Sequence, residues 1–263
     1  MHRLLILTVL SLACAGVMAN PRGCDVDIQS HYDLSLNERS VILTRDSGVS
    51  TAIDAARPDG APRAIVMRQG RLFVDDAWVT LSAADRARVA AFEQATRETM
   101  PEAQAIGRAA SDIAFTALGE VAAGFSSDPA ASQAKLARAR VQIDARLARS
   151  VTATRFDGRD LGSGISEAVG AVLPSMIGDI VGGAISAAFS GDASRLKRME
   201  NLDAQIEAKV KPRALALEQR AEALCRRMVA LDAIDNALEY RHRGQPLDLL
   251  RVESGRVDRR GRH

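Results

Sequence analysis

The chain has 263 residues and a formal net charge of +2, from 35 Lys plus Arg against 33 Asp plus Glu. A balance this even sets up no global field to draw in nucleic acid or an anionic membrane, and aromatic side chains at only 3% leave few faces on which bases or sugars could stack. The length accommodates one large or two small domains with a mainly aliphatic core.

The first nineteen residues read as an export address. Met1-His2-Arg3 is a basic start, Leu4-Leu5-Ile6-Leu7-Thr8-Val9-Leu10 an apolar run, and Val17-Met18-Ala19 sets small side chains before a cleavage point. That order is a secretory signal peptide. The apolar run is too short to cross a hydrocarbon core of ~30 Å, and the alternative is a buried N-terminal helix. The mature protein is therefore predicted to begin at Asn20 and to be periplasmic. Of the three cysteines, Cys14 falls inside the leader, where lipidation would call for a leucine three residues earlier and Ser11 stands instead. The remaining pair, Cys24 and Cys225, reads as one disulfide in an oxidising compartment, with two separate buried thiols as the alternative.

Residues 20–81 read as a β-rich unit. Ser40-Val41-Ile42-Leu43-Thr44 is strand-like, and the apolar runs Ala64–Met67 and Leu72–Val74 flank Arg68-Gln69-Gly70-Arg71 as a hairpin does. Residues 46–63, with Gly48, Pro58, Gly60 and Pro62, suit a loop, and Asp75-Asp76-Ala77 turns the chain before Trp78-Val79-Thr80.

At Ser82 the period changes from two to that of a helix. Ser82-Ala83-Ala84-Asp85 fits a capping box, opening a helix to about Thr99. Pro101 then starts a second helix, on which Ile106, Ala110, Ile113, Ala117 and Val121 recur at spacings of three and four. Asp128-Pro129 opens a third, with Leu136, Ala139, Ile143 and Leu147 on its apolar face, and Phe156-Asp157-Gly158-Arg159-Asp160 breaks it.

Residues 161–191 differ from their surroundings: between Ala168 and Ser190 the one charged residue is Asp179, and Gly170, Gly178, Gly182 and Gly183 are spread through the stretch. Gly178 and Gly182 have the small-xxx-small spacing that lets helices approach closely, so Gly178, Asp179, Gly182 and Gly183 form a candidate helix-packing or membrane interface. Burial within the chain or its oligomer, membrane contact and a mobile loop all compete here. From Asp192 a long helical tract with coiled-coil-like seams runs to about Arg243, kinked at Pro212, and carries Cys225 beside Leu224. Pro246 ends it, Asp248-Leu249-Leu250 can dock once more, and residues 251–263, rich in arginine, read as a disordered basic tail. The fold class is α+β: a small N-terminal antiparallel β unit (20–81), then a mostly α-helical bundle (82–250) with a long C-terminal helix.

No catalytic, metal or cofactor pattern stands out. His31, His242 and His263 lack metal-ligand spacing, and no nucleophile elbow, P-loop or dinucleotide fingerprint occurs. Asp75-Asp76 suits turn chemistry better than an acid–base pair, because adjacent carboxylates on a strand point to opposite faces.

The order of motifs nevertheless resembles a known family. Cys24-Asp25-Val26, the hairpin residues Arg71-Leu72-Phe73-Val74-Asp75-Asp76, Val79-Thr80-Leu81-Ser82-Ala83-Ala84-Asp85-Arg86, Arg97-Glu98-Thr99-Met100-Pro101 and Leu224-Cys225 follow one another as in the YggN-like envelope proteins of Gram-negative bacteria. The resemblance implies a periplasmic or membrane-associated protein with Cys24 and Cys225 as the shared cysteines; it carries no catalytic residues over. The expectation is a non-enzymatic binding or scaffolding protein without cofactor. Its expected partner is another envelope protein or a second copy of itself, with peripheral membrane contact possible and nucleic acid excluded. The competing expectations are a membrane-associating helical protein that uses residues 161–191 and a hydrolase or transferase with an unrecognised site.

Overall fold

A computed structural model of the chain describes residues 24, 26–45, 60–171, 173–190 and 201–254. The expected signal peptide, most of the expected 46–63 loop and the Asp192 helix start lie outside these residues.

The β-rich beginning forms β1 (Val26–Gln29), β2 (Asp33–Leu36), β3 (Val41–Thr44), β4 (Ala64–Arg68), β5 (Arg71–Val74) and β6 (Ala77–Trp78). Strands β2 to β6 pair antiparallel in chain order. Alternation decides their faces: Leu36, Val41, Leu43, Ile65, Met67, Leu72 and Val74 are all buried on one side. The β4–β5 turn has Gln69 and Gly70 at φ of 52° and 71°, the two positive values a two-residue hairpin needs. A side chain on Gly70 would place its Cβ 2.8 Å from the Arg86 carbonyl oxygen, so the turn rests on the next helix with no room for one.

Helix α1 (Ala83–Phe125) starts as its capping signal requires, with the Ser82 hydroxyl accepting from the Asp85 N–H at 3.0 Å. It does not stop at Thr99. Two helices were expected there, but α1 runs unbroken through Pro101. Proline removes one backbone donor and should kink or break an isolated helix; here both halves are held from outside. Val89, Phe92 and Met100 pack on the sheet, and Arg227 of the last helix donates to the Glu98 carbonyl beside the proline.

Helix α2 (Pro129–Ser150) follows with Asp128 accepting from the Ala131 N–H, and buries Leu136, Ala139, Ile143 and Leu147 as the spacing predicts. The expected break after it is more than a break. Strands β7 (Val151–Thr152) and β8 (Arg155–Asp157) form a hairpin that pairs with β2 and completes a seven-stranded sheet, order β6-β5-β4-β3-β2-β8-β7. The sheet thus draws strands from both sides of residue 81.

Helices α3 (Gly158–Gly170) and α4 (Leu173–Ser190) lie on α2 and α1. Helix α5 (Leu202–Asn236) then runs back along α1, with Lys209–Glu120, Arg213–Asp112 and Arg220–Glu102 as successive ion pairs at 2.5, 3.0 and 3.7 Å. It ends at Asn236, short of the expected Arg243: the Glu239 and Tyr240 N–H groups donate to Asp85 instead of to the helix, and Arg243 and Gly244, at φ of 53° and 82°, form a turn between β9 (Arg241–His242) and β10 (Gln245–Pro246). Leu247, Leu249 and Leu250 then dock into the core. The basic tail begins ordered: Arg251–Ser254 is strand β11, paired antiparallel with β1, which corrects the expectation of disorder for those four residues. Backbone pairing needs no apolar side chains, so composition could not reveal it.

Candidate functional site

The glycine-rich segment is built as a two-faced helix. On one face of α4, Met176 is 1% exposed and joins Ala122 of α1 and Leu136 of α2 in a small apolar cluster. Gly183 is buried against the end of α1, where a Cβ would collide with the Phe125 carbonyl oxygen, so only glycine lets the two backbones meet. Asp179 points toward the chain as well, its carboxylate 3.3 Å from Lys135 Nζ on α2.

The other face is exposed among the described residues. Ile177, Val181, Ile185 and Phe189 are 58, 51, 53 and 89% exposed, and their spacing of four puts them in one row. Beside the row, Gly178 and Gly182 have nothing among the described residues within 4 Å of a would-be Cβ. Among the described residues the small-xxx-small pair therefore makes no helix contact; Gly183, its neighbour, makes that contact instead. The helix packs within the chain by its Met176–Gly183 side and leaves Gly178 and Gly182 open among the described residues.

Cys24 and Cys225 are joined by a disulfide, with Cα atoms 6.0 Å apart. It ties the base of β1 to the middle of α5.

A second gathering of polar side chains was invisible in the sequence. His31 and His242 line one small crevice with Tyr32 and Asp248, and His242 Nε2 lies 3.8 Å from Asp75. Burial pushes the Tyr32 phenol up to about 12. Among the described residues, no group of three or more His, Cys, Asp and Glu side chains is placed to hold a metal ion. Nothing in the spacing of His31 and His242 could have announced the crevice, since the β9–β10 turn brings them together.

A family model described as "Protein of unknown function (DUF2884)" matches residues 24–250. The chain belongs to that family. The match begins at the first cysteine of the disulfide and ends at Leu250, so the DUF2884 unit takes in the seven-stranded sheet, the five helices among the described residues and the α4 face. No curated protein and no solved structure matches the chain.

Proposed function

We propose that this DUF2884 protein is a non-enzymatic binding and scaffolding protein of the bacterial envelope, exported through the signal peptide of residues 1–19. Its working surface is the open face of α4, and its partner is the same face of a second copy. The observation that carries this reading is the row Ile177, Val181, Ile185, Phe189 with the bare Gly178 and Gly182 alongside. Ridge and groove lie next to each other, so two such helices related by a twofold axis are self-complementary. Each large apolar side chain buried there contributes about 1.5–3 kcal/mol. The signal peptide, the Cys24–Cys225 pairing and the resemblance to YggN-like envelope proteins support the location.

The mature protein is expected to sediment as a dimer. Val181→Glu puts a charge in the middle of the row and should yield a monomer with an unchanged circular dichroism spectrum. A wild-type monomer at high micromolar concentration defeats the reading.

A specific observation favours a second reading, membrane association. The stretch Leu161–Gly183 is long and apolar enough to cross a bilayer by composition; of its two charged residues, Glu167 is exposed and Asp179 is paired with Lys135. The exposed row spans about 18 Å at 1.5 Å per residue, which suits lying in the interface rather than crossing it. Flotation of the mature wild type with liposomes, lost in Val181→Glu, is the outcome this reading expects.

A further inference from the structure

Helices α1, α2 and α3 do not close on one another. Between them lies a cavity of about 340 Å³, walled by Phe115 and Leu118 of α1, Ile143 and Leu147 of α2, and Ile165 and Val169 of α3. It opens to solvent along one side, and its walls are carbon with one exception. Ser111 also lines it, and the Ser111 hydroxyl oxygen is shielded from solvent and has no hydrogen-bond partner among the described residues. A helical serine ordinarily donates to the carbonyl one turn back; Ser111 does not, and a buried hydroxyl left unpaired costs on the order of 1–3 kcal/mol.

We propose that this cavity is a binding site for a single hydrocarbon chain that carries an oxygen acceptor, the chemistry of a fatty acid or fatty-acyl group. The apolar walls exclude a polar or charged body, and Ser111 Oγ donates its proton to the ligand oxygen. Volume sets the length. An apolar cavity of ~150 Å³ accepts a benzene-sized ligand, and at ~30 Å³ for each water-sized group this one accepts a chain of about ten carbons. The rim is open on the α1 side, where Ala110 and Ala114 are exposed, so a chain can enter without unfolding the helices. At the other end Phe115, Leu118 and Leu136 also pack on the Met176 cluster, which closes the cavity beneath α4. The site is separate from the open face of α4 and stands whether or not that face binds a second copy.

The test is titration calorimetry on the delipidated mature protein, disulfide intact, with two probes: decanoic acid, and a lysophospholipid bearing one decanoyl chain. Saturable one-to-one binding of either supports the site. Binding of the free acid alone assigns a free fatty acid as the natural source, and binding of the lysophospholipid alone assigns a membrane lipid. Ser111→Ala should weaken binding about three- to tenfold, the equivalent of one hydrogen bond. Ala139→Leu, which fills the cavity from α2, should abolish it; if that variant does not fold, Ala114→Leu at the exposed rim takes its place. Val181→Glu should bind as the wild type does, which separates failure here from failure of the α4 reading. The proposal is overturned if neither probe binds, or if a correctly folded filled variant binds like the wild type.

Discussion

Two buried aspartates fasten the C-terminal part of the chain, and they titrate in opposite directions. Asp85 accepts the Glu239 and Tyr240 N–H groups at 3.0 and 2.8 Å and pairs with Arg88. Burial alone would raise its carboxyl, but these hydrogen bonds outweigh burial and hold it below the usual carboxylate range. Asp235, 3% exposed, accepts the Leu249 and Leu250 N–H groups. There burial dominates, and with Asp248 and Asp232 nearby it pushes the carboxyl up to about 7. A raised Asp235 contributes stability that is fully present below the unfolded value of about 4 and is lost as pH rises toward 7, at up to about 1.4 kcal/mol per pH unit. Asp85 contributes stability above about 4 that is lost as pH falls further. Asp235→Asn keeps an oxygen for the two N–H groups, so it should fold and should flatten the dependence between pH 5 and 7. Urea midpoints for both proteins at pH 5, 6 and 7 check this; a wild-type-minus-variant difference that stays constant would contradict it.

The glycines of α4 differ in kind at the level of the element. Gly183→Ala brings a methyl group against the Phe125 backbone carbonyl, which cannot rotate aside, so α4 must shift at a cost on the order of 1–3 kcal/mol. Gly178→Ala meets open space and should be neutral or stabilising by up to about 1 kcal/mol in the monomer, since alanine favours helix. Thermal unfolding of the two variants side by side reads the difference, and equal effects would mean that Gly183 is not the contact point. Local rules end a helix at Pro101, yet packing on the sheet below and α5 alongside carries the helix through it.

At the scale of the whole molecule, the first and last described strands are tied to each other and to α5. Strand β1 pairs with β11, Val252 donates to Asp232 on α5, and Cys24 is bonded to Cys225 on the same helix. Removing the disulfide by Cys24→Ser with Cys225→Ser should therefore cost about 2–5 kcal/mol, and it should weaken the sheet and the helices together. Circular dichroism reports the helices and Trp78 fluorescence reports the sheet edge at β6. In urea the two transitions should coincide in wild type and variant and move by the same amount. Separate transitions would show that the sheet and the helical layer unfold as independent units.

The sequence by itself determined what depends on neighbours a few residues apart. The β4–β5 hairpin, the Ser82 and Asp128 caps, the apolar face of α2 and the passage from strand to helix at Ser82 follow from local spacing and turn chemistry, and so were legible. The oddity of residues 161–191 was legible too, and so was the pairing of the two cysteines. Tertiary structure alone decided the rest. Strands β7 and β8 are too short to announce themselves and exist because β2 offers them an edge. Arg251–Ser254 is a strand because β1 lies opposite. Which glycine of α4 touches α1, and that Ile177, Val181, Ile185 and Phe189 look outward, depends on how that helix is rotated against α1 and α2. The cavity around Ser111 has the same origin: the α2 face that lines it was legible from its period, but the α1 face turned toward it carries Ser111, Phe115 and Leu118, none of which belongs to the Ile106–Val121 series read from spacing, and the gap itself is a property of packing.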